Sequence, residues 1–423
     1  MTSRRILHAD ADAFFVAVAR MADPDGAGKA PLLIVGGRPG SRGVVCSASY
    51  ETRVFGVRSA MPISQALRLC PAAMCVPVPR HACSATSKAI AAVLARFTPL
   101  VEGASIDEWY LDLTGTEALY AGETLDATAR RIREAVHHET GLWVSIGGGS
   151  SKLIAKLAAE RAKPRPGSGA TGVRVVAVGN EGAFMTEFSL AELPGVGPKL
   201  QVKLAGVGMV RVVDMLPHDR ATLGRWIGRR PAAWLWARVR GIHSTPVETR
   251  APAKQISRES TFDRDVKESA VIAGVLRSLS ASVAADLRGD KLSARTVTVK
   301  LKDADFTSRH ASRTVREPIE SDRVIAEIAM ALLAKLRAER RMSARLVGVS
   351  LGNLTPVRDA EQLGLFGTGA RVGASTGRAA GTATAMPPMT VERPQDRAVS
   401  RAVDRVRARF GANAIRTGAG RQT

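Results

Sequence analysis

Hydrophobic and polar positions change period several times along the 423-residue chain, and each change marks an element. Ile6-Leu7-His8-Ala9-Asp10 is an apolar run closed by an acid, the pattern of a short strand, and 13–20 reads as the start of a helix. Residues 32–36 and 44–47 read as a β-pair joined by the Gly/Pro/Arg turn of 36–43. Helical segments follow near Tyr50 and over 62–69, then a strand over 74–78 and a helix over 81–97. Residues 101–114 read as a hairpin with Ser105-Ile106-Asp107-Glu108 at its tip. A helix over 125–139, a strand over 143–147 and a helix over 151–162 complete a βαββαβ-like set, closed by Lys163-Pro164-Arg165-Pro166-Gly167.

The next unit is small and helical, and contains Leu193-Pro194-Gly195-Val196-Gly197-Pro198. From about Lys254 the period changes again. Val297, Val299 and Leu301 alternate with Thr296, Thr298, Lys300 and Lys302, a half-buried strand with a polar, basic outer face. Amphipathic helices over 270–287 and 322–340, and a last strand through Val347, Val349 and Leu351, make a second βαββαβ-like module ending near Leu354. From Phe366 to Met389 the chain thins to Gly, Ala, Thr and Pro, the composition of a flexible linker. Val399, Ala402, Val403, Val406 and Phe410 then recur at helical spacing among arginines. That is either a short basic helix folded only when bound or a loosely docked C-terminal helix.

The length accommodates about three domains. No apolar run approaches the ~18 residues of a membrane span, and Met1-Thr2-Ser3-Arg4-Arg5 is not followed by the apolar stretch of a secretory signal. Lys plus Arg is 61 and Asp plus Glu 39, a net +22. This points to a polyanion: nucleic acid ahead of a membrane surface, with a merely solubilising charge excess as the alternative. Aromatic residues are only 4%, so base stacking is not the main grip on such a partner. The four cysteines form no CxxC pair and read as buried cytosolic thiols. Asp10 ends a strand and Asp107-Glu108 share a hairpin tip, costly positions for acids unless something compensates them. Two Mg²⁺ ions about 3.5–4 Å apart would do so in phosphoryl transfer. Surface acids in turns are the other reading, and spacing alone leaves it open.

Five stretches, in order, resemble motifs of the Y-family translesion DNA polymerases. They are His8-Ala9-Asp10-Ala11-Asp12-Ala13-Phe14-Phe15, Ser49-Tyr50-Glu51-Thr52-Arg53-Val54-Phe55-Gly56-Val57, Arg58-Ser59-Ala60-Met61-Pro62, Ser105-Ile106-Asp107-Glu108-Trp109-Tyr110-Leu111-Asp112, and Ala155-Lys156 to Ala162-Lys163-Pro164. The resemblance runs from about residue 5 to about residue 355 and is to the DinB, bacterial polymerase IV type. It implies an α+β multidomain right hand: palm over 1–10 and 79–168, fingers over 11–78, a helix-hairpin-helix thumb over 169–242 and a linker over 243–252. A little finger over 253–355, a flexible linker over 356–391 and a basic tail over 392–423 follow.

The resemblance also assigns roles. Asp10, Asp107 and Glu108, with the carbonyl of Ala11, match the ligands of two Mg²⁺ ions, for which Mn²⁺ can substitute. Asp12 matches no ligand and reads as structural, a cap for the following helix being one such role. Tyr50, Arg53 and Lys163 match triphosphate-binding residues, suited by a bidentate Arg fork and a Lys point charge. Ser47 stands where a hydroxyl near the phosphates is common, and Phe14 and Phe15 border the nucleotide. Phe15 matches the steric gate that rejects a ribose 2′-OH, while Phe14 also reads as core. Three positions depart from the pattern: Ser151 where Asn is common, Trp109 where a small residue is usual, and Ala13 in place of Cys or Tyr.

Gly195 and Gly197 resemble a helix-hairpin-helix turn, with Lys199 and Lys203 beside it for phosphate contacts. Lys300, Lys302, Arg309 and Arg313 are expected on exposed strand positions that track DNA without reading sequence. Gln362-Leu363-Gly364-Leu365-Phe366 resembles the peptide that docks on the bacterial sliding clamp (the beta clamp). The implied protein is a low-fidelity DNA polymerase without proofreading. It takes primer-template DNA and dNTP, has no membrane partner, and is a monomer in the bacterial cytoplasm, associated with the nucleoid. A catalytically inactive clamp-binding adaptor and a metal-dependent nuclease are the alternatives.

Overall fold

The computed structural model describes residues 4–120, 122–164, 169–249, 253–357, 392–411 and 414–415. They fall into two compact units, 1–251 and 252–423.

In chain order the first unit holds β1 (Ile6–Ala11), α1 (Phe14–Ala22), β2 (Leu33–Gly36), β3 (Val45–Ala48), α2 (Tyr50–Arg53), α3 (Ile63–Leu69), β4 (Met74–Pro77) and α4 (Arg80–Leu94). Next come β5 (Val101–Gly103), β6 (Glu108–Asp112), α5 (Leu125–Thr140), β7 (Val144–Gly149), α6 (Lys152–Ala162) and β8 (Val173–Val175). The palm sheet is ordered β5-β6-β1-β7-β8, and the fingers carry their own sheet, β3-β2-β4. Strand parity divides the palm. Leu7, Ala9, Leu111 and Ile146 join a core with Ile90 of α4 and Ile132 of α5. Ile6 and Tyr110 pack on the other face with Ala155 of α6. Gly147 lets α6 come close: a Cβ there would lie 2.0 Å from the Ala159 nitrogen and 2.1 Å from the Ala155 carbonyl oxygen.

One domain boundary differs from the sequence reading. Strand β8 pairs in parallel with β7, so the palm sheet extends past residue 168 into the stretch assigned to the thumb. Three residues are too short a run to stand out by periodicity. Of the stretch read as a linker, residues 243–249 lie along the palm, with Val247 buried against Ile6, Tyr110 and Ala155, and the Glu248 N–H donating to Glu102 at 2.8 Å.

The thumb is helical, as expected: α7 (Glu181–Met185), α8 (Pro198–Ala205), α9 (Val212–Met215), α10 (Arg220–Ile227) and α11 (Arg229–Arg238). Its core joins Phe188, Val212 and Leu235 to Leu153 and Leu157 of α6. Gly195 has φ +94°, and a side chain there would strike the Trp234 ring.

The second unit has β9 (Gln255–Val266), α12 (Ser269–Gly289), β10 (Leu292–Asp303), β11 (Ser308–Ile319), α13 (Asp322–Glu339), β12 (Ala344–Pro356) and α14 (Pro394–Phe410). Its sheet is antiparallel, ordered β11-β10-β12-β9, with Val297, Val299 and Leu301 packed under α12 and α13. Helix α12 has the length and apolarity to cross a membrane, but Ile272, Leu276, Val283 and Leu287 place it in this core. Helix α14 confirms the tail helix and decides between its two readings in favour of docking: it packs on α12 and α13. The Gln362–Phe366 peptide lies outside the described residues.

Candidate active site

The site grows from one register. Strands β1 and β6 pair antiparallel with Asp10 opposite Glu108, and the Ala11 N–H donates to the Asp107 carbonyl at 2.9 Å. Period two sends His8, Asp10, Glu108 and Tyr110 to the face that α6 covers. From α6, Lys156 Nζ reaches both Glu108 carboxylate oxygens at 2.7 Å, and just beyond its end Lys163 Nζ lies 2.9 Å from Asp10 and 2.7 Å from Glu160. Lys152 makes the same kind of pair with Glu102 on β5. Ser151 caps α6, accepting from the Ile154 N–H, so the departure from Asn keeps the capping function. Trp109 is buried in the palm core, and its cross-strand neighbour is Gly103, which leaves room for the indole.

Electrostatics separate the two acids. Burial lifts Asp10 to about 6, although Lys163 pulls it down. Glu108 is held down at about 2 by His8, whose Nε2 is 3.8 Å away, and by the Lys156 ammonium. His8 itself is driven down by burial, and its ring nitrogens have no hydrogen-bond partner among the described residues. Lys163 is lowered by burial but raised more by Asp10 and Glu160, so it stays charged. The lysines thus stand where cations are needed, and this donor set of partly desolvated carboxylates suits Mg²⁺.

Asp107 is not gathered with the other two acids. It sits at the hairpin tip, with Ser105 Oγ bonded to its carboxylate. Among the described residues, no three His, Cys, Asp or Glu side chains converge into an ion-holding cluster. Asp12 is structural, as read, but does not cap α1: it accepts from Ser145 Oγ at 2.6 Å and lies 3.6 Å from Arg133. The residue that opens α1 is Ala13, in a left-handed conformation at φ 48°, a strained turn of the kind that collects at functional sites.

Phe14 is a palm-core side chain, buried because α1 turns it inward, so its ring offers nothing to a nucleotide. Phe15 is half-buried beside it, edge-on at 5.5 Å. In the fingers, Tyr50 and Arg53 form a second group. The Arg53 guanidinium lies 4.9 Å over the Tyr50 ring, and its Nε donates to the Ala48 carbonyl. Ser47 is buried in β3.

The open face of the little-finger sheet carries Lys300, bonded to Glu259 at 3.0 Å, and Lys302, whose Nζ is 5.0 Å from the Phe306 ring centre. The Thr296–Thr314 and Thr298–Ser312 hydroxyl pairs lie beside them. Arg309 and Arg313 are opposite Leu301 and Val297, and therefore point to the helix-covered side. Arg309 is spent on the buried Asp303, and Arg313 lines a crevice with α12, α13 and α14. Their expected DNA-facing placement is wrong because exposure was assumed where the register gives the covered face. In the thumb, Gly197 precedes Pro198 at the start of α8, and Lys199 is exposed on its first turn.

Lys156 is the functional side chain that sequence reasoning passed over, quoted within a motif but given no role. The signal was present, since Lys152 and Lys156 stand one helical turn apart on a helix following the acidic strands. His8 was legible too, two residues before Asp10 on the same strand face.

Residues 9–160 match the impB/mucB/samB family, and 253–365 match that family's C-terminal domain. A DNA polymerase IV of Dehalococcoides mccartyi is 35% identical over 353 residues, covering 84% of this chain and 88% of that protein. The Halorhodospira halophila DNA polymerase IV is 38% identical over 363 residues, covering 86% and 99%. A Y-family DNA polymerase chimera superposes with TM-score 0.73 at 26% identity, covering 83% and 99%. An insertion ternary complex of Dbh DNA polymerase gives 0.58 at the same identity and coverage.

Proposed function

The chain belongs to the DinB branch of the Y-family and is a translesion DNA-directed DNA polymerase, and from that premise we propose how its residues divide the work. The adaptor alternative is not favoured, since the relatives are DNA polymerases IV. Asp10, Glu108 and the Ala11 carbonyl, joined by Asp107 from the hairpin tip, would hold two divalent ions, Mg²⁺ with Mn²⁺ as a substitute. Ions bound there would supply charge stabilisation and a lowered pKa for the primer 3′-OH. The observation that carries this reading is the Asp10–Glu108 pair, already neutralised by Lys163 and Lys156. As the α-phosphate of a dNTP is attacked and pyrophosphate leaves, Lys163 passes from Asp10 to the triphosphate, joined by Tyr50 and Arg53, with Ser47 at the back of that cradle. Phe15 lies under the sugar and excludes a ribose 2′-OH.

Primer-template DNA is held by backbone amides near Gly195 and Gly197, by Lys199, and by Lys300 and Lys302. Gln362, Leu363, Leu365 and Phe366 dock on the sliding clamp. The enzyme works as a monomer in the bacterial cytoplasm at the nucleoid, with low fidelity and no proofreading. The test is primer extension with Mg²⁺ and each dNTP or rNTP. Wild type extends with dNTPs only, Asp107→Ala falls about 100-fold or more, and Phe15→Ala gains rNTP use. A wild type that binds DNA but does not extend would reverse the assignment.

A further inference from the structure

Helix α14 lies beyond the family match, which ends at residue 365, yet it is built into the little finger. Its segment satisfies the N-terminal donors of α13: Glu392 accepts from the Glu320 and Ser321 N–H groups, and Ser400 Oγ from that of Asp322. Arg288, only 5% exposed, is clamped by Asp404 at 2.6 and 2.9 Å, by Asp322 at 2.9 Å and by the Glu320 carbonyl. Docking on this scale holds the outer face of α14 in a fixed place.

That face is basic. Arg397, Arg401 and Arg405 follow at four-residue spacing, Arg397 being held by Glu392 and Arg401 by Glu320, and a cleft of about 590 Å³ opens between α14 and the turn joining α12 to β10. Lys291, Arg401, Arg405 and Arg407 line it, and its two acids, Glu320 and Asp404, are engaged by Arg401 and Arg288. Lys291 and Arg405 are exposed and have no acidic partner among the described residues. Lys291 is held at φ 56°, a left-handed turn. Uncompensated cations on a rigid edge, in a chain of net +22 that polymerises DNA, match the footprint of a phosphate backbone.

We propose that the α12–β10 turn and the docked α14 form a second DNA-holding surface of the little finger, taking backbone phosphates on Lys291 and Arg405. It is separate from the sheet face carrying Lys300 and Lys302. It rests on the polymerase reading only for the choice of DNA as the polyanion.

The experiment is a salt titration of primer-template binding by fluorescence anisotropy with the full chain. Wild type is compared with Lys291→Ala/Arg405→Ala and with the charge reversal Arg405→Glu, with folding checked by melting temperature. Loss of two phosphate contacts lowers the slope of log K against log salt by about 1.8, at roughly 0.9 per contact. The same shift in an Asp10→Ala background separates this outcome from any failure of the catalytic assignment. Competition by inorganic pyrophosphate that leaves the DNA slope unchanged would mean a small-anion site and overturn the proposal, as would a double variant with the wild-type slope.

Discussion

Ion pairs in the palm and at the C-terminal helix use the same side-chain chemistry for opposite ends. In the palm, Lys156–Glu108 and Lys163–Asp10 are partly open to solvent, with side-chain exposures between 14 and 30%. Each lysine reaches its acid as a single point charge, the form of contact most readily exchanged for a metal ion or a triphosphate. At α14, Arg288 is nearly sealed and spends its fork on two carboxylates and a carbonyl at once. A buried guanidinium with every partner in place cannot be traded without leaving charges stranded. Burial and the number of bonds per charge, rather than the presence of a salt bridge, distinguish a placeholder from a fixture.

Four perturbations test that contrast, from the largest expected effect down. Arg288→Ala strands Asp322 and Asp404 and should destabilise the little finger by about 3–5 kcal/mol, read as a lower urea midpoint. A loss under about 1 kcal/mol would make this pair a placeholder as well. Gly147→Ala forces a Cβ into the α6 backbone and should cost about 1–3 kcal/mol in thermal unfolding. It should also weaken Mg²⁺ binding, because α6 carries Lys156 and leads to Lys163.

Mg²⁺ should then raise the melting temperature more at pH 7.5 than at pH 5. Asp10, whose folded value is raised from 3.8 to about 6, contributes stability that is complete below about 4 and lost as pH rises through about 6. Above pH 6 the free protein therefore carries a largely buried Asp10 carboxylate matched by the single Lys163 ammonium, to which a bound cation adds compensation, and below pH 6 protons compete with the ion. Glu108 has the opposite sign: its contribution is present above about 4.5 and disappears as pH falls toward about 2. Equal Mg²⁺ stabilisation at both pH values would contradict the placement of Asp10. Smallest of all, Lys156→Met should change stability by under about 1 kcal/mol while tightening Mg²⁺ binding by calorimetry, because a competing cation has been removed. Weaker Mg²⁺ binding would mark Lys156 as a fixture that positions Glu108.

Much of this is legible in the amino-acid sequence. The β1 run ending in Asp10, the hairpin tip at Asp107-Glu108 and the alternation at Val297, Val299 and Leu301 each report which way a side chain faces, because a strand has period two. Arg309 and Arg313 lay beyond that rule, because their facing is set by the β10–β11 register, which pairs them with Leu301 and Val297 on the helix-covered side. The pairing of Lys156 with Glu108 and of Lys163 with Asp10 joins residues roughly 50 and 150 positions apart, so no local pattern reports it.

By itself, then, the amino-acid sequence determined the element types, the two βαββαβ-like modules and the acids that cap the palm strands, and its charge put a polyanion ahead of other partners. These follow from local backbone preference, side-chain period and summed charge, none of which needs a distant contact. Only the tertiary structure decided that β8 completes the palm, that residues 243–249 lie on it, that Arg309 and Arg313 face the helices, and that the C-terminal helix is bolted down. Each of these depends on which surfaces meet and what water is excluded when they do, and burial is a property of the folded whole.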